Sequence, residues 1–303
     1  MAVNLAHFTE LCEIWAKLDL FGSESKVRPK LGNAAAIKAA VAAGSAQIPL
    51  AYRDSYAAAI MRELESVLGQ TKEMSAGERE MIIEQFYAPV YQHGTIAGMV
   101  DVRPELRRFL AVVSNLYRSF VNAKKRESLQ VPQVKAPTPL AFFQSDGGQG
   151  PYTITSESMQ KIFNSPVAVV SLPATYRSHG LLWCSLAHEV CGHDVVHADE
   201  ELVPELVAGV RSLFTGNSFA PNGPLSPNLL NALLWSYWID EAVADVYGVL
   251  NMGPTFSLNL AAFFSAMMSC AMKESGRPVP GMPFLRCNAG PRDPMGGDNH
   301  MDE

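Results

Sequence analysis

Residues 181 to 197 read LLWCSLAHEVCGHDVVH, and an apolar, β-branched segment, Pro166 to Leu172, runs just ahead of them. The order of a buried strand followed by a helix carrying His188, Glu189 and His193 decides how the second half of the chain folds. The familiar H-E-x-x-H helix sets its histidines four residues apart, whereas these two are five apart. At about 100° per residue, five steps turn the second side chain about 140° away from the first. An ideal α-helix would misaim one imidazole, so the spacing predicts a one-residue π-bulge. Gly192 is the expected place for it, since glycine accepts backbone geometry that a β-carbon forbids.

After residue 197, 200–214 reads as a further helix, and 215–227, with its glycines, asparagines and three prolines, reads as loop. Ser226 and Pro227 then form an N-cap and first-turn pair that opens a long helix to about Met252. Gly253-Pro254 punctuates, a last core helix runs to about Glu274, and the tail to Glu303 is irregular. On the other side, the first 126 residues look almost wholly helical. Leu5, Phe8, Leu11, Trp15 and Leu18 recur at helical spacing, an alanine-rich segment covers 33–43, and Tyr52 to Leu68, Ala76 to Tyr91 and Pro104 to Lys125 continue the pattern. Prolines at 132, 137 and 139 and the Asp146-Gly-Gly-Gln-Gly150 run break any regular element, so 127–150 reads as a linker. The expected division is a helical N-terminal region at 1–126, the linker, and a catalytic domain at 151–303. The fold class is mainly α (α+β), with a small sheet beside the site and a short helix at 155–163.

The composition is that of a globular protein large enough for real cores, with 303 residues and 48% apolar. A net charge of −6 leaves no electrostatic footprint for nucleic acid or an anionic membrane, and Lys124, Lys125 and Arg126 read as a solvated helix end. The first fifteen residues carry Glu10 and Glu13 where a secretory signal would be basic and then apolar, so a cytoplasmic location is expected. Five cysteines without a C-x-x-C pair fit reduced thiols. The apolar stretch 256–272 is short for a membrane span and interrupted by polar residues. Oligomeric state is left open by the sequence.

A second motif, Asp-Glu-Ala-Val-Ala-Asp at 240–245, falls on the long helix. With His188 and His193 it offers two imidazoles and a carboxylate, Glu241, for one zinc ion, which leaves a fourth position for water. N and O ligands would also accept cobalt, manganese or iron. Glu189 is then the general base, and Asp240 and Asp245 can each take the second ring N–H of a histidine. The acidic triplet sits among Trp235, Trp238, Ile239, Val243, Val246 and Val249, where burial without partners would be costly. Two other readings stay open. The triplet can be a solvated stripe, and His193 with His197 forms a pair in a shifted register, with Asp194 as base. Otherwise His197 supports the site from behind. Tyr176, Arg177 and His179, between strand and motif helix, are candidates for stabilising an oxyanion or gripping a carboxylate, as is His300.

The two motifs resemble those of the dipeptidyl peptidase III family of zinc peptidases, H-E-x-x-G-H followed by E-E-C-R-A-E on a later helix. His188, Glu189, Gly192 and His193 match the first; in the second Asp240 and Glu241 take the places of the two leading glutamates, Glu241 unchanged, Ala244 matches, and Asp245 replaces the last glutamate. Ala242 and Val243 depart from Cys-Arg, and the resemblance covers about a dozen positions. It implies a gluzincin centre, with Glu241 as ligand, Asp240 and Asp245 orienting histidines, Glu189 as base, and His300 placed where that family has a downstream histidine. The expected function is zinc-dependent hydrolysis of a peptide amide bond. The strand at 167–172 stands where such enzymes hold an extended substrate by strand addition, although a buried sheet strand is the plainer reading. The rival functions are hydrolysis or elimination on a small-molecule metabolite, and a helical binding module without catalysis.

Overall fold

A computed structural model of the chain describes residues 34–70, 75–94, 99–121, 137–145, 150–197, 201–216 and 218–274. The stripe at residues 5–18, the Lys124–Arg126 triplet, most of the Asp146–Gly150 run, His300 and the tail from 275 onward lie outside them. The described chain is mainly helical, with one three-stranded mixed sheet. Residues 22–257 form one compact unit, and residues 1–21 with 258–303 form another.

Four helical segments come first: α1 (Ala34–Gln47), α2, α3 (Ala76–Tyr91) and α4 (Arg103–Val121). α2 consists of Leu50–Tyr52, a π-helical turn at Arg53–Ala57 and Ala58–Gln70. α1 and α3 cross at Gly44, where a β-carbon would drive into the Val90 carbonyl and Tyr91 Cα. The sheet holds β1 (Leu140–Gln144), β2 (Tyr152–Ile154) and β3 (Val169–Pro173), in the order β1-β3-β2. β1 runs parallel to β3, with Leu140 opposite Val169, and β2 runs antiparallel, with Thr153 opposite Val170.

The registers place Leu140, Phe142, Tyr152, Ile154 and Val169 on one face of the sheet. That face packs on a core of Ile37, Val41, Tyr52, Tyr56, Ile60, Ile83, Tyr87 and Tyr91 from α1–α3, joined by Met159 and Phe163 of α5 (Ser156–Phe163). α5 starts at Thr155, whose hydroxyl accepts the Ser158 N–H. On the opposite face Phe143 meets Phe109 of α4 and Trp183, with ring centroids 5.3 and 6.4 Å away.

Two sequence expectations change here. Residues 140–144, expected in a linker, form β1, buried along its whole length. The outer edge of β1 is closed by α3 and by Gln92, the residue after it. The Gln92 amide donates to the Phe143 carbonyl at 2.6 Å and accepts its N–H at 3.0 Å, as a neighbouring strand would. Glu84 accepts both the N–H and the hydroxyl of Ser145. The strand expected at 166–172 is β3, and it is central. With a partner along each side it has no free edge for strand addition, and that expectation falls.

The motif helix, α6, spans three helix types: a 3₁₀ turn at Gly180–Cys184, a π-helical stretch at Ala187–Asp194 and an α-helical end at Val195–His197. α7 (Leu202–Thr215) leads to α8 (Pro227–Met252), where the Ser226 hydroxyl accepts the Leu229 N–H at 3.2 Å and Gly253, at φ +62°, ends the helix. α9 (Pro254–Glu274) crosses from the first unit into the second. Within the second, Asn259 and Ala262 are buried and Phe263 lies beside Phe264. No helix among the described residues is long and apolar enough to cross a membrane.

Candidate metal centre

α6 and α8 touch at their backbones. A β-carbon on Gly192 would overlap Cα and Cβ of Ala244, so two helices that ordinarily lie 8–10 Å apart approach as closely as glycine and alanine permit. Around α8, at about 100° per residue, Ala244 projects between Asp240 and Glu241, with Asp245 beyond. The close approach at Ala244 therefore presents all three carboxylates to α6. Gly192 serves by lacking a side chain. The π-helical stretch is eight residues long, longer than the single bulge expected, and its wider turn, closed by i→i+5 hydrogen bonds, brings His193 round toward the face of His188.

Three ligand atoms converge. His188 Nε2 and His193 Nε2 are 3.1 Å apart, and the two Glu241 carboxylate oxygens lie 3.3 Å from His188 Nε2 and 3.7 Å from His193 Nε2. Metal bonds of about 2.0–2.1 Å at tetrahedral angles set ligand atoms roughly 3.3 Å apart; the two imidazole nitrogens and the nearer Glu241 oxygen come close to that spacing, and one ligand atom from each of the three residues lies within 4.8 Å of the others. The far ring nitrogens are engaged by the aspartates: His188 Nδ1 lies 2.9 Å from Asp245 Oδ1, and His193 Nδ1 lies 3.5 Å from Asp240 Oδ2. An Nδ1–H that donates to a carboxylate leaves the Nε2 lone pair bare. Two such lone pairs facing each other at 3.1 Å repel unless a cation or proton lies between them. The donor set and its spacing fit a divalent metal.

His188 is further fixed by the Phe256 ring, stacked at 6.3 Å and 14°. Gly248 makes room for that ring, which a β-carbon there would meet at 2.6 Å. Asp240 also accepts from His197 Nε2 at 3.1 Å, and His197 Nδ1 lies 3.8 Å from Glu157 on α5. The His193 and His197 hydrogen bonds hold the Asp240 carboxyl well below the usual range. Burial pulls His193 toward its neutral form, but the Asp240 hydrogen bond and the charges of Glu189, Asp240 and Glu241 outweigh it, and its pKa is raised.

Glu189 is buried, and desolvation raises its pKa against the opposing charges of His188 and His193. Its Oε2 accepts from the Thr153 hydroxyl at 2.9 Å. The shifted register is not assembled. His197 faces Asp240, and Asp194 is turned away to accept the N–H and hydroxyl of Ser156 at 2.9 and 3.0 Å.

Glu241 and Asp245 are half-exposed, as are Trp235, Trp238, Val246 and Val249. The cost of burying acids on an apolar helix therefore does not gather the triplet; the histidines do. Tyr176, Arg177 and His179 lie on the stretch between β3 and the 3₁₀ turn that opens α6. Tyr176 is buried, its carbonyl accepting the Trp183 indole N–H at 2.9 Å. Arg177 folds back on the Ala174 carbonyl at 3.2 Å, and half-buried His179 precedes the Gly180 turn. Thr153 had no sequence signal: nothing local marks a hydroxyl that meets a side chain 36 residues on. No family model, no curated protein and no solved structure matches this chain.

Proposed function

We propose that the chain is a metal-dependent hydrolase that cleaves an amide bond, in a peptide, at the His188–His193–Glu241 centre. The carrying observation is the convergence of His188 Nε2, His193 Nε2 and the Glu241 carboxylate, one ligand atom of each lying within 4.8 Å of the others, with each imidazole backed by an aspartate. A zinc ion held there supplies Lewis acidity and an acidified water. Glu189 takes the proton of the attacking water on its carboxylate and returns it to the departing amine nitrogen, so one water and one amide give an acid and an amine. Burial, which raises the Glu189 pKa, suits a carboxylate that must take up a proton and give it back. Asp245 and Asp240 hold the imidazoles in the tautomer that presents Nε2.

The half-exposed Glu241 carboxylate opens the centre to solvent along α8, which favours a chain that runs past it over a small molecule enclosed by it. The same reading takes α6, α8 and the sheet as a zincin-like catalytic half, and the likeness to dipeptidyl peptidase III as one of centre and reaction type.

The test pairs metal content with activity. Wild type and His197→Ala should hold one equivalent of zinc and Glu241→Ala none, and a peptide pool should be cleaved by wild type and spared by Glu189→Gln. Loss of metal only in His197→Ala would overturn the ligand set. Cleavage that survives Glu189→Gln would overturn the base, and metal bound without cleavage would point to a binding module.

A further inference from the structure

Thr153 is the middle residue of β2. Its neighbours Tyr152 and Ile154 turn to the core face of the sheet, so strand alternation turns Thr153 to the opposite face, toward α6. There its hydroxyl lies 2.9 Å from Glu189 Oε2 and 3.0 Å from the backbone carbonyl of the same residue. One short side chain thus reaches both ends of the glutamate, from a layer other than the helix that carries it. Glutamate has three rotatable side-chain bonds, and a buried carboxylate on so long an arm has no fixed direction of its own. Threonine has a stiff χ1, and β2 is registered against β3, so the donor is as fixed as the sheet.

We propose that Thr153 is a positioning residue, its hydroxyl holding the Glu189 carboxylate in the orientation needed to take a proton from the attacking water. This rests on the hydrolase reading above. The hydroxyl has one hydrogen, which the charged carboxylate at 2.9 Å draws in preference to the neutral carbonyl at 3.0 Å, making a charge-assisted bond, and donors supported by rigid elements hold a catalytic group most closely. Valine in place of threonine keeps the shape and removes the donor, while serine keeps the donor and removes a methyl.

The experiment compares wild type, Thr153→Val, Thr153→Ser and Glu189→Gln for zinc stoichiometry and for steady-state cleavage of one peptide selected from the pool. It adds a double-mutant cycle in the melting temperature of the chelator-treated protein, pairing Thr153→Val with Glu189→Leu. All variants should bind one zinc. Thr153→Val should lose kcat on the order of a hundred-fold, the cost of misplacing a reacting group by about 1 Å. KM should stay within about twofold, and Thr153→Ser should recover most of the rate. In the cycle the two melting shifts should be clearly non-additive, because either substitution removes the same bond. Wild-type kcat in Thr153→Val, a serine variant no better than valine, or additive shifts would each overturn the assignment. A wild-type protein that holds zinc and cleaves nothing would instead remove the hydrolase reading, and the role of Thr153 with it, whatever the melting cycle shows of the bond.

Discussion

Gly192→Ala is a one-methyl test of how the centre is built. The added β-carbon would fall on Cα and Cβ of Ala244, well inside contact distance, while carbon atoms rest at about 3.5–4.0 Å. One partner is backbone, so no side-chain rotation clears it, and α6 and α8 must part by on the order of 1 Å. The Glu241 oxygens on α8 lie 3.3 and 3.7 Å from the imidazole nitrogens on α6, and a parting of that size carries the carboxylate out of reach of a metal held by bonds of about 2.0–2.1 Å to both histidines. Overpacking of this kind costs about 1–3 kcal/mol in stability. Zinc affinity should fall at least about ten-fold, the lower bound for disturbing the groups that orient a ligand. Competition against a chromophoric chelator reads the affinity, and thermal unfolding of metal-free protein reads the packing cost. Adding Ala244→Gly should restore part of both, because it removes one of the two atoms in the way. A Gly192→Ala protein that binds zinc and melts like wild type would refute the close approach as the device that assembles the site.

Gln92→Leu should orphan the Phe143 N–H and C=O, at about 1–3 kcal/mol for each buried group left unpaired, read as a lowered urea midpoint; an unchanged midpoint would count against the capped edge. His93, buried at the end of α3, has its pKa lowered from 6.5 to about 4 by desolvation. Its folded form therefore binds fewer protons than the unfolded chain between these values. Its contribution is complete above about 6.5 and is lost as pH falls toward about 4, a difference of about 3 kcal/mol. Stability of wild type and His93→Leu should thus converge or cross as pH drops through that window, and parallel profiles would refute the burial argument.

Much of the helical frame is legible from residue patterns, because amphipathic spacing and capping chemistry are local. Ser226-Pro227 opens α8 and Thr155 opens α5 as their side chains dictate. The five-residue spacing of His188 and His193 announces a departure from α geometry but not its length, since the extent of a π-helical stretch depends on what α8 packs against it. The sheet is the least legible part. Leu140–Gln144 is buried on both faces, so it lacks the alternation that marks a half-exposed strand, and it is flanked by the prolines and glycines that elsewhere mean loop. Gly192 and Ala244 illustrate a different limit. Motif comparison singles both out, yet only the folded backbones show that they touch each other, which is why neither tolerates size.

The sealed flank of β1 bears on how this protein would fail. Leu-Ala-Phe-Phe-Gln is short, apolar, uncharged and free of proline, the composition of segments that stack into amyloid when an edge is open. Among the described residues, the Glu84 carboxylate of α3 and the Gln92 carboxamide just past its end cover that edge against another copy of the segment. If α3 detaches before the rest of the unit melts, heating would end in irreversible aggregation rather than reversible unfolding. Shelf life would then follow the rate at which one helix lifts, not the free energy of the whole fold.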